Sequence, residues 1–141
     1  MYGFSSFGLL IYLTYSAGWL YLYSFLPPKM QKPQIFHIDE IPWVDLGGGH
    51  LDKAMVTEPK TGMIVNVSRY PKGYTMGWHK HHCAHGMYII EGSMQTNLGI
   101  VRQGEFVWFP AEVEMDHGAT ALEDCTFLFI TNAPFDIEHL E

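Results

Sequence analysis

The sequence predicts an all-β antiparallel domain, a small barrel or sandwich, preceded by a single hydrophobic helix. Three observations carry this. Beyond residue 35 the chain is a series of short runs rich in β-branched and aromatic residues, each bounded by Gly, Pro, Asn or Asp; such punctuation belongs to strands and tight turns. No stretch there repeats apolar residues at the spacing of an amphipathic helix. In contrast, Phe4 to Leu26 carry no charged side chain over 23 residues.

That uncharged stretch is the first element. As a helix it would be about 34 Å long, enough to span a bilayer. Trp19, Tyr21 and Tyr23 cluster near its end as an interfacial belt would, and Pro27-Pro28 stop it there. Lys29 and Lys32 follow, which places the rest of the chain on the cytoplasmic or matrix side of a membrane. Two other readings stay open, and with them whether the segment is retained. A secretory signal peptide would carry a basic n-region, which Met1 to Ser6 lack, and a shorter apolar run. A buried core helix would need polar partners for Tyr12 and Tyr15. Gly8, Ser16, Ala17 and Gly18 permit close packing against another membrane helix.

Residues 27–34, PPKMQKPQ, form a linker, because three prolines in eight positions forbid regular pairing. The expected organisation is therefore an anchor helix at 1–26, a linker at 27–34 and a β domain at 35–141. Candidate strands follow at 35–38, 41–46, 54–58, 63–70, 74–82, 86–92, 93–98, 105–110 and 124–131. Gly47-Gly48-Gly49 reads as a turn, since no GK[ST] follows to make it a phosphate loop.

A chain of 141 residues with 48% hydrophobic content suffices for one domain with a real core. The formal charge is −7, and with only Lys29 and Lys32 in the first 34 residues, the remaining 107 hold 6 basic and 15 acidic side chains, a balance of −9. Such a domain repels polyphosphate, which excludes a nucleic-acid partner. Cys83 and Cys125 are too few for a disulfide framework and lack CxxC spacing, though one disulfide between them is compatible with the sequence.

The chemistry concentrates in GYTMGWHKHHCAHGMYIIEG, residues 73–92, which holds four of the eight histidines. His79 and His81 stand two apart, so an extended strand puts both imidazoles on one face, able to converge on one metal ion. His85 can return from the start of the next strand. His117 arrives after the following hairpins. Ligands from several elements around one ion, with a coordination position left open, are what a transition-metal site requires. His82 points to the opposite face and falls outside this set, Cys83 is a small buried side chain or a neighbour of the ligands, and His37, His50 and His139 have no partner at metal spacing. Trp78, Tyr74 and Met76 alternate with the ligands and should pack in the core or at a subunit interface.

In these residues the chain resembles the cupin superfamily. Gly73, His79, His81, His85 and Gly92 reproduce the spacing of the first cupin motif, with His85 where a glutamate usually stands. Gly104, Pro110 and His117 resemble the second motif, with Glu112 in place of its usual glycine and His117 two residues later than the usual histidine. The resemblance covers roughly residues 60–131 and implies a cupin-type jelly-roll barrel with a metal held by His79, His81, His85 and His117. An all-imidazole shell would leave a divalent ion its full +2 charge, favouring anions and resisting oxidation of the metal.

The function this implies is a membrane-anchored, metal-dependent oxygenase acting on a small molecule, a dioxygenase with Fe as the first expectation and Mn, Cu, Ni or Zn as alternatives. No paired carboxylate or further His supplies acid/base chemistry, so redox chemistry is better supported than hydrolysis. The alternatives are a non-catalytic accessory subunit of a multi-protein membrane complex and a small-molecule sensor module. Cupin barrels often form homodimers, which Trp78 and Trp108 permit if exposed.

Overall fold

The structure, a computed structural model, describes residues 32–140. The anchor helix expected at 1–26 lies outside these residues, as does most of the 27–34 linker. Among the described residues no helix is long and apolar enough to cross a membrane.

The domain is a curled antiparallel sheet of eight strands: β1 (Val44–Gly47), β2 (His50–Thr57), β3 (Ile64–Tyr70), β5 (His85–Thr96), β6 (Gly99–Arg102), β7 (Phe106–Phe109), β8 (His117–Ala119) and β9 (Cys125–Thr131). A separate two-stranded ribbon joins β4 (His79–Lys80) to β10 (Glu138–His139). The strand path β1-β2-β3-β9-β5-β6 ends at unpaired edges, so the expected closed barrel is a half-barrel. The all-β reading stands: a single 3-10 turn at Ile38–Glu40 is the one helical element among the described residues.

Several strand expectations change. Residues 35–38 pair with nothing; they run extended into the 3-10 turn, and the Ile38 carbonyl accepts a hydrogen bond from Lys53 Nζ at 2.7 Å. The runs at 86–92 and 93–98 are one strand, β5, because Gly92 (φ +79°) bends it without ending it. A Cβ at Gly92 would overlap the carbonyl oxygen of Asp124, so glycine is needed there twice over. The first half of β5 pairs with β7 and β9, the second half with β6 and β8. The short strands β6 and β8 exist because this long strand offers them a partner, which no local pattern announces.

The strand expected at 74–82 shrinks to His79–Lys80, since Gly77 adopts φ +70° and breaks the extended run. The triple glycine is indeed a turn: Gly47 pairs with His50, and all three glycines have positive φ.

Strand alternation sorts the side chains. Met87, Ile89, Val107, Phe109 and Phe127 point inward to the core with Met94 and Met115. Tyr88, Phe106 and Trp108 point outward and are 43%, 55% and 49% exposed. Fully burying an aromatic or Met side chain is worth about 1.5–3 kcal/mol, so the inward set supplies most of the cohesion around the histidines.

Candidate metal centre

Four imidazoles meet inside the curl. His79 and His81 come from β4 and the residue after it, His85 opens β5, and His117 opens β8. They are 0%, 2%, 0% and 4% exposed. Nitrogens of His79, His81 and His117 all lie within 4.8 Å of one another, so this trio could hold a metal ion. The ring centroids are 4.8 Å apart for His79–His81 and for His79–His117. His85 stands outside that nitrogen trio, yet its centroid is 4.7 Å from His81 and 6.1 Å from His117.

The backbone fixes two tautomers. His79 Nδ1–H donates to the Gly77 carbonyl at 2.6 Å, and His81 Nδ1–H donates to the Asp136 carbonyl. In both rings this leaves Nε2 with a bare lone pair, the form a metal ligand needs. Among the described residues, Nε2 of His79 has no hydrogen-bond partner, and neither ring nitrogen of His85 or His117 has one. A buried imidazole nitrogen without a partner costs about 1–3 kcal/mol, so several at one point call for a shared cation. The donor set fits: all nitrogen, no sulfur, suited to Zn, Fe, Cu or Ni.

Burial keeps all four imidazoles neutral. It pushes His85 down to about 3, helped by the neighbouring His81 and His79. It holds His117 well below its ordinary value, with His79 and His85 adding to the effect. His79 and His81 are lowered by the same desolvation, opposed by their hydrogen bonds to Gly77 and Asp136. Neutral imidazole is the ligating form, so no proton must leave before a metal binds near neutral pH.

Aromatic side chains pack around the rings. His85 stacks on Phe109 at 5.2 Å, Phe135 sits 4.9 Å from His81, and Tyr70 lies nearly parallel to His117 at 6.1 Å. Tyr74 stacks on Tyr70 at 4.7 Å and His50 meets it edge-on at 4.8 Å; Trp78 is half exposed, and Tyr74 and Met76 pack against the core. A groove of about 720 Å³ runs over β5, β6 and β8, lined by Gln95, Arg102, Asp116, Thr120 and Glu123. Of the four imidazoles only His117 lines it. The unpartnered nitrogens, rather than this groove, mark the chemistry.

His82 is exposed, as its position on the opposite face implied, and bonds through its backbone N–H and its Nδ1 to the Asp136 carboxylate. Its Nε2 lies 3.8 Å from Glu112. Glu112, at the motif's usual glycine position, has φ +63°, the single positive φ at a residue other than glycine among the described residues. The backbone there keeps the turn of the motif at a cost of about 1–2 kcal/mol. Cys83 and Cys125 are both buried free thiols, which removes the disulfide alternative. Sequence reasoning gave Asp136, Phe135 and His139 no part here; they come from a segment that no local motif links to the histidines.

A family profile, the ChrR cupin-like domain, matches residues 31–136. The chain belongs to this cupin family. An RmlC-like cupin protein from Ralstonia eutropha is 18% identical over 73% of this chain and 69% of its own, with a TM-score of 0.64. A structure of Rhodobacter sphaeroides SigE in complex with the anti-sigma ChrR matches at 21% identity over 67% of this chain and TM-score 0.59, and this chain spans 51% of that one. The polyketide cyclase RemF from Streptomyces resistomycificus is 14% identical over 78% of this chain and 87% of its own, at TM-score 0.67. At these identities the likeness shows the shared cupin fold. No curated protein matches the chain.

Proposed function

We propose that this domain is a metal-binding sensor module, its centre built from His79, His81 and His117 with His85 as a fourth imidazole. The observation that carries this is the set of buried ring nitrogens without partners, all in side chains no more than 4% exposed. A bound divalent ion would supply a Lewis-acidic, fully +2 centre there. The chain's own residues do the rest. Gly77 and Asp136 hold two imidazoles in the ligating tautomer, and Phe109, Phe129 and Phe135 exclude water from the rings. Such enclosure suits a centre whose occupancy is read by the fold. Turnover instead requires substrate to reach an open position.

The metal-dependent oxygenase reading is the alternative, favoured by the groove that reaches His117. Oxygen uptake separates the two. Protein loaded with Fe(II), Mn(II) or Cu(II) is expected to consume no oxygen above the free-metal rate with a panel of β-diketones and thiols. Substrate-dependent uptake with multiple turnovers would overturn the sensor reading. The exposed outward face of Tyr88, Phe106 and Trp108 gives either reading, or an accessory subunit, a place for a protein partner.

A further inference from the structure

The last described residues cross over the imidazoles instead of leaving the domain. Asn132 starts the crossing with two bonds to Ala84: its backbone N–H donates to the Ala84 carbonyl at 3.1 Å, and its Oδ1 accepts from the Ala84 N–H at 2.9 Å. Phe135 then lies on His81 and against Phe129, 5.4 Å away. The Asp136 carbonyl accepts from His81 Nδ1, while its carboxylate holds His82 at two points. Glu138–His139 pair with His79–Lys80, Glu138 sits 3.4 Å from Lys80 Nζ, and the Leu140 N–H donates to the Trp78 carbonyl at 3.0 Å.

Two things follow from this placement. The polar contacts between residues 135–140 and the rest of the described domain go to the segment 78–83, which carries His79 and His81. Several of those contacts lie at the surface, where an ion pair such as Lys80–Glu138 is worth little alone, and Asn132, Phe135, Glu138 and His139 are exposed. The strap is thus lightly held at the surface, and the tie by which Asp136 reaches the buried cluster is to a ring that would ligate the metal.

We infer that residues 132–140 are a strap whose ordering is coupled to metal occupancy, and that Asp136 is its positioning residue. Its carbonyl sets the His81 tautomer, and its carboxylate holds that carbonyl in place through His82. A metal held by the His81 ring would strengthen its Nδ1–H donor, which would tighten the bond to the Asp136 carbonyl. By linkage, an ordered strap raises metal affinity by the factor that metal raises strap order. This rests on the metal-binding reading above and gives it an output: metal loss frees a surface segment.

Hydrogen exchange on the full chain, with and without one equivalent of Zn(II), tests the coupling. Zn(II) is expected to slow exchange at 132–140 by about tenfold or more, as the strap leaves the low-stability end of the molecule. Asp136→Ala is expected to weaken Co(II) binding by about 10–100-fold and shift the Co(II) absorption bands. Asp136→Asn keeps an oxygen acceptor for the His82 N–H, and is expected to restore affinity to within a few-fold of the parent, with the parent bands. The thermal melt of each metal-free variant checks that the barrel still folds. Tight binding with unchanged strap exchange, or Asp136→Ala with parent affinity and spectrum, overturns the strap and leaves the metal centre standing. Absence of any stoichiometric binding overturns both.

Discussion

Replacing His117 with alanine is expected to lower metal affinity roughly a hundredfold. Structural zinc sites bind with about 10–16 kcal/mol spread over four ligands; losing one ligand thus forfeits about 3 kcal/mol, and each 1.4 kcal/mol is a factor of ten. His79→Ala should behave alike, since both nitrogens belong to the trio within 4.8 Å. His37→Ala and His50→Ala supply the contrast: the first side chain is exposed ahead of the 3-10 turn, and the second meets Tyr70 edge-on. Competition titration with a chromophoric chelator reads all four. Equal affinity in His117→Ala and the parent would remove His117 from the centre.

The second large effect is a loss of stability in acid by the metal-free protein. Each of the four imidazoles has its folded pKa below the ordinary 6.5. The unfolded chain therefore takes up protons as pH falls through 6.5, while the folded chain takes them up at lower pH, about 3 for His85. Stability fully present above 6.5 is thus lost as pH drops from 6.5 toward 3. At pH 5 this amounts to about 2 kcal/mol for His85, and His117 acts in the same direction. The exposed His82 acts in the opposite sense, since its hydrogen bond to Asp136 raises its pKa and its contribution is present below 6.5.

Urea unfolding of metal-free protein at pH 7 and pH 5 measures the loss. His85→Leu, of similar volume between Phe109 and Phe129, is expected to remove His85's share of it and to stabilise the metal-free protein near neutrality, because it deletes two unpartnered nitrogens. A stability independent of pH between 7 and 5 would contradict the buried, neutral state of these rings.

Much of this cluster is legible in sequence because three of its four imidazoles sit in one short motif. Gly73, His79, His81 and Gly92 announce the site by spacing, and the apolar alternation of Met87, Ile89 and Val107 announces the face it occupies. What stays hidden is set by chain closure. The strand carrying His79 and His81 is two residues long because Gly77 interrupts it, and alternation alone cannot reveal that. The His81 tautomer depends on Asp136, 55 residues away, and β8 exists because β5 continues past Gly92 to meet it. Glu112 looks like a broken motif by residue type, yet its φ of +63° keeps the glycine-like turn. His85 was grouped with the other three by spacing, whereas its ring joins the cluster without joining the closest nitrogen trio.

The central claim is that the buried imidazoles form a metal centre. Elemental analysis combined with X-ray absorption at the metal edge, on untagged full-length protein reconstituted with Zn(II), tests it most directly. The expected result is one zinc per chain with three or four imidazole nitrogens at about 2.0–2.1 Å and no sulfur. Zinc below stoichiometric level, or a first shell containing sulfur at about 2.3 Å, would contradict it.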